Sequence, residues 1–391
     1  MKIEIEGIQL LFTSAYILCL MDAILIGYSS IGLLPGASRV SRCLCIGALL
    51  LVLIKLVSDG FYSLEYLFIM ILLGALFLLA YIKSGYNHIL YFLIVFLGMR
   101  NVQSKHILKV DFGLKIILSL FIISSSLSGV IENYITHRTG ESALRYSLGF
   151  NHPNTLASIV LSLIVEEAFL SGRKGNGFYT ILIWLIDSVL YLVTDNRTAV
   201  LLIAIFPILL LLQNRDISKS DVNISKIKIL LGTCGYPLAT ICSFILMRNA
   251  RKNIFFATCD RWFSNRFFNA NVIYDRYGIS LLGQKVNLVS VRTARMLHSS
   301  IALLDISYLR ILIQAGLLVL LTIGALYCFA LNKMVKTNNY LRLLVVLLFL
   351  LFGMYESGSN NVFINFSLIF IIEEFYKNER LISKEVEGIY E

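Results

Sequence analysis

Long apolar runs recur along this chain from residue 8 to residue 376, and they constrain its fold more than any other feature. A helix needs about 20 apolar residues to cross a bilayer core, where every backbone amide must be hydrogen-bonded within its own segment. The sequence therefore predicts an all-α polytopic membrane protein with about twelve transmembrane helices. The predicted spans are residues 8–27, 44–57, 66–82, 88–99, 111–131, 153–170, 178–194, 198–212, 229–247, 307–330, 341–355 and 362–376.

The composition leaves no room for a separate soluble domain. Hydrophobic residues make up 58% of the 391 residues, well above the level of soluble globular proteins. We expect one integral membrane domain over 1–391, with N-terminal helices over 1–107, a motif-bearing core over 108–376 and a cytoplasmic tail over 377–391. The first apolar run is expected to be a retained span rather than a cleaved signal, because no basic leader and small-residue cleavage site accompany it.

The connectors between the runs alternate in charge from residue 111 onward. One set is short and basic, and the positive-inside rule assigns it to the cytoplasm. It contains Arg173, Lys174, Arg215, Lys219, Lys226, Lys228, Lys333, Lys336, Arg342, Lys377, Arg380 and Lys384. The opposite face then carries the decapeptide Arg145–Asn154, the turn Asp195–Thr198, a long extracytoplasmic loop over about 248–303 and the connector 355–361.

The topology of the first 100 residues stays open. Simple alternation places Arg39, Arg42 and Lys83 outside, against the positive-inside rule. A re-entrant segment at 88–99, which is short for a span, would place them inside instead.

The long loop carries an unusual positive charge for the outer face. Nine Lys and Arg residues between Arg248 and Leu303 oppose only Asp260 and Asp275, a surplus of seven. Translocating such a loop is disfavoured, so we expect its positive charges to bind an anionic partner. Arginine dominates, and its planar fork pairs bidentately with phosphate oxygens. The predicted partner is a membrane-borne phosphate or pyrophosphate, with attraction to anionic lipids or wall polymers as the alternative.

Two arginines lie at span ends on the same face. Arg145 opens the polar decapeptide, and Arg197 lies in the tight turn. Both are expected to bind an anionic group, although Arg145 could instead contact lipid headgroups beside a simple helix start at Pro153. Nucleic acid is excluded as a partner because this face is extracytoplasmic.

A carboxylate follows the long loop at Asp305, just before an apolar run. At the start of a helix it could serve as a general base or only complement the helix N-terminus, and both interpretations remain open. The acids Glu166, Glu167 and Asp187 are interpreted as interface residues, and Asp22 as a lone acid within a span.

Three motifs in this order resemble a known family. They are Arg145-x-x-x-Gly149-Phe150-x-His152-Pro153-Asn154, then Asn196-Arg197-Thr198-Ala199, then a long loop closed by Asp305-x-Ser307-Tyr308-Leu309 with Gly316 downstream in the following helix. The chain over about 108–376 resembles the bacterial polysaccharide polymerases of the Wzy type, most closely their Gram-positive branch. These are related to the O-antigen ligases within a GT-C-like group of membrane enzymes.

The resemblance implies transfer of a glycan between undecaprenyl-pyrophosphate carriers on the outer face of the bacterial plasma membrane, without metal or cofactor. Asp305 or His298 would be the base, with His152 as a further candidate, and Arg145 and Arg197 would bind pyrophosphate. The residues expected to bind substrate are His152, Asn154, Tyr308, Arg261, Arg266, Arg276 and Glu356. A chain-length regulator and a flippase of the same pathway would be partners in the bilayer.

Three alternative functions remain. An O-antigen-type ligase would deliver the glycan to another acceptor, and a flippase would carry the lipid-linked oligosaccharide across the membrane. A non-catalytic subunit of an assembly complex is the third. Transporters often show inverted repeats around a midplane site, whereas the unusual polar residues of this chain gather at one face.

Overall fold

The computed structural model describes residues 2–60, 64–137, 143–172, 175–214, 222–289, 292–293 and 302–377. Helices dominate these residues. They are α1 (Lys2–Met21), α2 (Ala37–Ser58), α3 (Leu64–Ser84), α4 (Asn87–Gly98), α5 (Ser104–Leu127), α6 (Pro153–Ser171), α7 (Gly177–Thr194), α8 (Arg197–Asn214), α9 (Val222–Asn249), α10 (Ile254–Trp262), α11 (Arg266–Tyr277), α12 (Ser307–Arg310), α13 (Leu317–Lys336), α14 (Tyr340–Gly353) and α15 (367–377). The strands β1 (Ile135–Thr136) and β2 (Arg145–Tyr146) form one short antiparallel pair.

The described helices confirm an all-α membrane protein. Six of them are long and apolar enough to cross a bilayer: Gly7–Gly27, Ala37–Ser58, Leu64–Ser84, Pro153–Ser171, Gly177–Thr194 and Leu317–Lys336. Three shorter helices, Asn87–Gly98, Arg197–Leu212 and Tyr340–Gly353, are also apolar. The expected total of about twelve spans and the GT-C-like architecture stay predictions.

The chain divides into two compact units. Unit 1 comprises Met1–Phe61 and Ile94–Asp221, and unit 2 comprises Tyr62–Leu93 and Val222–Glu391. The division describes how the helices pack, and the single integral domain expected from the sequence stays a prediction.

In unit 1, the decapeptide Arg145–Asn154 is fixed by the segment that follows α1. Helix α1 packs against α2 and α5, and α6 packs against α5, α7 and α8. After a π-helical turn at Asp22–Gly27, the amide of Ser30 donates to the carbonyl of Gly149 at 2.8 Å. The amide of Asn151 donates to the carbonyl of Tyr28 at 2.9 Å. The decapeptide is therefore an ordered part of unit 1.

In unit 2, the predicted span 307–330 is not one continuous helix, and Gly316 does not lie along a helix as expected. Helix α12 continues as a π-helical turn over Ile311–Ala315, and Gly316 then takes φ 105° before α13 begins. A Cβ on Gly316 would lie 2.4 Å from the amide nitrogen of Gly283, so a side chain is excluded there. The loop of about 248–303 approaches this break and contains two helices of its own, α10 and α11.

Candidate functional site

The end of the decapeptide builds the start of α6. Pro153 occupies the first turn, where no amide donor is needed, and the Nδ1 atom of His152 accepts the amide of Asn154 at 3.1 Å. Gly149 has φ 88°, and a Cβ there would lie 2.8 Å from the carbonyl oxygen of Ile122. Phe150 is fully buried. These motif residues therefore shape the loop and the entry of α6, and the substrate contact expected for His152 stays a prediction.

Arg145 is buried in unit 1 and joins the decapeptide to the end of α7. Its Nε atom donates to the carbonyl of Thr194 at 2.7 Å, and its Nη2 atom donates to Oδ1 of Asn154 at 2.6 Å. Only 7% of the residue is exposed. The structure thus places Arg145 and Asn154 together, while binding of pyrophosphate by this guanidinium stays a prediction.

The turn Asp195–Thr198 follows directly from Thr194 and so lies beside the decapeptide, as the sequence led us to expect. Asp195 adopts φ 42°, and the buried Asn196 accepts the amide of Ala199 at 2.8 Å to cap α8. Arg197 is the first residue of α8 and is exposed. Its side chain is therefore more accessible to a ligand than that of Arg145.

The second candidate cluster, in unit 2, consists of Arg266, Asp305 and Glu356, and we call it the Arg266 cluster. The Nη2 atom of Arg266 lies 2.8 Å from Oε1 of Glu356, and its Nε atom lies 3.9 Å from Oδ2 of Asp305. The side chains of Arg266 and Glu356 are 12% and 11% exposed, whereas that of Asp305 is 29% exposed. Asp305 is therefore the carboxylate of this cluster that a substrate can reach.

The single positive charge of the Arg266 cluster lies beside two carboxylates. Burial by itself would lower the pKa of Arg266, but the carboxylates of Glu356 and Asp305 outweigh it and raise that pKa. Both ionic partners of Arg266 are carboxylates, and the substrate-binding roles expected for Arg266 and Glu356 stay predictions. Glu356 holds the guanidinium of Arg266 beside Asp305.

Two neighbouring contacts hold this cluster in place. Asp260 accepts the amides of Phe267 and, more weakly, Phe268, which fixes the first turn of α11 directly after Arg266. Burial raises the pKa of Asp260, although these amides and Arg251 oppose the shift. The hydroxyl of Ser307 donates to the carbonyl of Glu356 at 2.7 Å and ties α12 to the connector 355–361.

Arg310 is a functional candidate that the sequence analysis missed. Its Nη1 atom donates to Oγ of Ser357 at 2.9 Å, its Nε atom donates to Oε1 of Gln314 at 3.3 Å, and its guanidinium stacks 4.7 Å from the ring centre of Tyr86. These partners are neutral, and no carboxylate among the described residues forms an ion pair with Arg310. The feature of the sequence that could have indicated Arg310 is its position three residues after Ser307, because this spacing places both side chains on one helical face.

Other expected site residues lie outside these clusters. Arg261 and Arg276 are exposed, and Arg261 donates only within its own helix, to Ala257 and Thr258. Tyr308 is buried in the interior of unit 2, where its hydroxyl donates to the carbonyl of Leu350 at 2.5 Å, and its expected contact with substrate stays a prediction. His298 lies outside the described residues.

No protein-family model, curated protein or solved structure matches this chain. The resemblance to polysaccharide polymerases is thus carried by the motif residues alone. Of these, Gly149 and Pro153 have clear conformational roles, and Asp305 is a partly exposed carboxylate beside Arg266.

Proposed function

We propose that this chain is a metal-independent glycosyltransferase that polymerises undecaprenyl-pyrophosphate-linked oligosaccharide repeats. A hydroxyl of the incoming lipid-linked repeat attacks the anomeric carbon of the growing chain, and undecaprenyl pyrophosphate leaves. The proposed enzyme spans the bacterial plasma membrane several times, with its reactive groups on the extracytoplasmic face. A flippase would supply its substrate, and a chain-length regulator would act with it.

The observation that carries this proposal is the environment of Asp305. A sugar hydroxyl has a pKa far above neutrality, so its proton must be removed as the new bond forms, and a positioned carboxylate supplies about 10²–10⁴-fold in rate. Asp305 is partly exposed, and the Nε atom of Arg266 lies 3.9 Å from its Oδ2 atom. This surrounding fits a general base better than a helix cap, since the start of α12 has Ile306 as its N-cap residue and no side-chain hydrogen bond to its first amides.

The leaving group explains the need for guanidinium groups. Departure of the pyrophosphate concentrates negative charge on phosphate oxygens, and fixed cationic donors lower that barrier. In unit 1, Arg145 and Arg197 are proposed for this role from their place in the motifs. In unit 2, Arg310 is a better candidate than Arg266, because its partners are neutral whereas two carboxylates already engage Arg266.

Deletion of this protein in its native cell, followed by analysis of the surface glycan, tests the proposed function. We expect single repeat units at the surface and loss of the polymer, with recovery on expression of the wild-type chain. Full-length polymer that stays on its lipid carrier would favour the ligase alternative. Lipid-linked repeats trapped in the inner leaflet would instead show a flippase, and unchanged polymer would contradict all three functions.

A further inference from the structure

Three ionisable side chains meet inside unit 1, away from both clusters described above. Lys115 and Asp111 lie one turn apart on α5, and Glu166 lies on α6. All three side chains have no exposed surface. The sequence analysis interpreted Glu166 as an interface residue, and the structure corrects this. Helix α6 is apolar and long enough to cross a membrane, and buried ionisable groups in such a setting usually serve a function.

The distances within this triad show how its charges are shared. The Nζ atom of Lys115 lies 2.5 Å from Oδ2 of Asp111 and 3.1 Å from Oε2 of Glu166. It also donates to Oγ of Ser162 at 3.0 Å. Lys115 is thus paired most closely with Asp111. Two ionised carboxylates beside one ammonium would leave one net negative charge, which is costly to bury.

A proton on one of the two carboxyl groups removes this surplus negative charge. The distances favour Glu166 as the protonated group, because Lys115 lies closer to Asp111 than to Glu166. Within the described residues, no donor reaches Oε1 of Glu166, which is itself buried.

We propose that Asp111, Lys115 and Glu166 form a proton-binding site, in which Glu166 holds the proton beside the ion pair of Asp111 and Lys115. The proton comes from water before the helices close, and no covalent bond changes. The triad is then neutral overall, as its burial requires. Because α5 and α6 seal the site from solvent, release of the proton requires these two helices to separate, which couples protonation to their packing.

Infrared difference spectroscopy of the purified protein at pH 7 tests this site. We expect Glu166→Gln to abolish a carboxylic-acid C=O band that exchanges slowly in D₂O, with the fold retained because the amide keeps a hydrogen donor in the same place. The matched control is Glu167→Gln, the next residue, which is partly exposed and accepts from Tyr179 at 2.7 Å. This control should leave the band unchanged.

Loss of carboxylate bands instead of the acid band in Glu166→Gln would show that Glu166 is ionised and would overturn the proposal. If that variant does not fold, wild-type protein carrying ¹³C-carboxyl glutamate distinguishes a protonated from an ionised glutamate in the same way. An isotope-shifted acid band with slow exchange supports the site, and absence of such a band contradicts it.

Discussion

At the scale of single residues, the two motif arginines of unit 1 differ in their surroundings and therefore in their expected roles. Arg145 is buried and spans two acceptors, Thr194 and Asn154, with different nitrogen atoms. Arg197 is exposed at the first position of α8. The burial of Arg145 and the exposure of Arg197 are not visible in the sequence, where both are arginines between apolar runs.

Lysine in place of each arginine separates structural from functional contributions. We expect Arg145→Lys to lower the free energy of unfolding by about 1–3 kcal/mol, because one ammonium cannot reach both acceptors and one is left unsatisfied. Arg197→Lys should change stability by less than about 0.5 kcal/mol while reducing turnover, because lysine lacks the bidentate fork. Thermal unfolding and a glycan-transfer assay measure the two effects. Equal destabilisation by both variants, or full turnover in Arg197→Lys, would contradict this division.

Several candidate residues could be singled out from the sequence, but their partners in the structure could not. Asp305 was found because a carboxylate after a basic loop is unusual, and Arg145 because it opens a polar stretch between apolar runs. The contacts of Arg266 with Asp305 and Glu356 depend on chain segments 39 and 90 residues away, and no local pattern encodes them. The pairing of Lys115 with Glu166 was not predicted for the same reason, since it joins two helices.

At the scale of elements, the sequence located the apolar helices well because apolar composition and length are local properties. A helix lies at each of the twelve expected positions in the described residues, although the last begins at residue 367 rather than 362. The break at Gly316 was not expected, because a single glycine in an apolar run does not reveal the close approach of Gly283 and Leu281. Helices α10 and α11 were not predicted because they are short, with 9 and 12 residues, and lie within a loop that is basic overall.

The start of α11 should depend on Asp260. We expect Asp260→Ala to lower the free energy of unfolding by about 1 kcal/mol, because the first-turn amides lose their acceptor, and Asp260→Asn to lose less because its amide oxygen can still accept. Burial raises the pKa of Asp260, so the folded state binds this proton more tightly than the unfolded state.

The raised pKa of Asp260 predicts the direction in which protein stability changes with pH. Wild-type stability should gain a contribution as the pH falls from the raised pKa of Asp260 toward the ordinary pKa of an aspartate, and Asp260→Asn should lack that contribution. Unfolding midpoints of the two proteins measured across that acidic range provide the comparison. A wild-type protein that loses stability relative to Asp260→Asn over this range would contradict the prediction.

At the scale of the whole molecule, the proposed function depends on which connectors face outward. Single cysteines introduced into a variant whose seven native cysteines are replaced by serine report this directly. Lys252→Cys in the long loop should react with a membrane-impermeant thiol reagent in intact cells, and Lys336→Cys at the end of α13 should react only after permeabilisation. Both positions are exposed in the structure. The reverse labelling pattern would place the Arg266 cluster on the cytoplasmic side.

The most direct measurement of the central claim is polymerisation of a purified lipid-linked repeat by the purified protein. We predict that the wild-type chain produces lipid-linked oligomers and releases undecaprenyl pyrophosphate in the presence of a metal chelator. Asp305→Asn should lower the turnover at saturating substrate by about 10²–10⁴-fold. Asp275→Asn should retain turnover, because this exposed acid lies 2.6 Å from Arg248 and belongs to neither cluster. Oligomers formed equally by Asp305→Asn and the wild type would contradict the role of Asp305 as the base, and absence of any oligomer with the wild type would contradict the proposed polymerase.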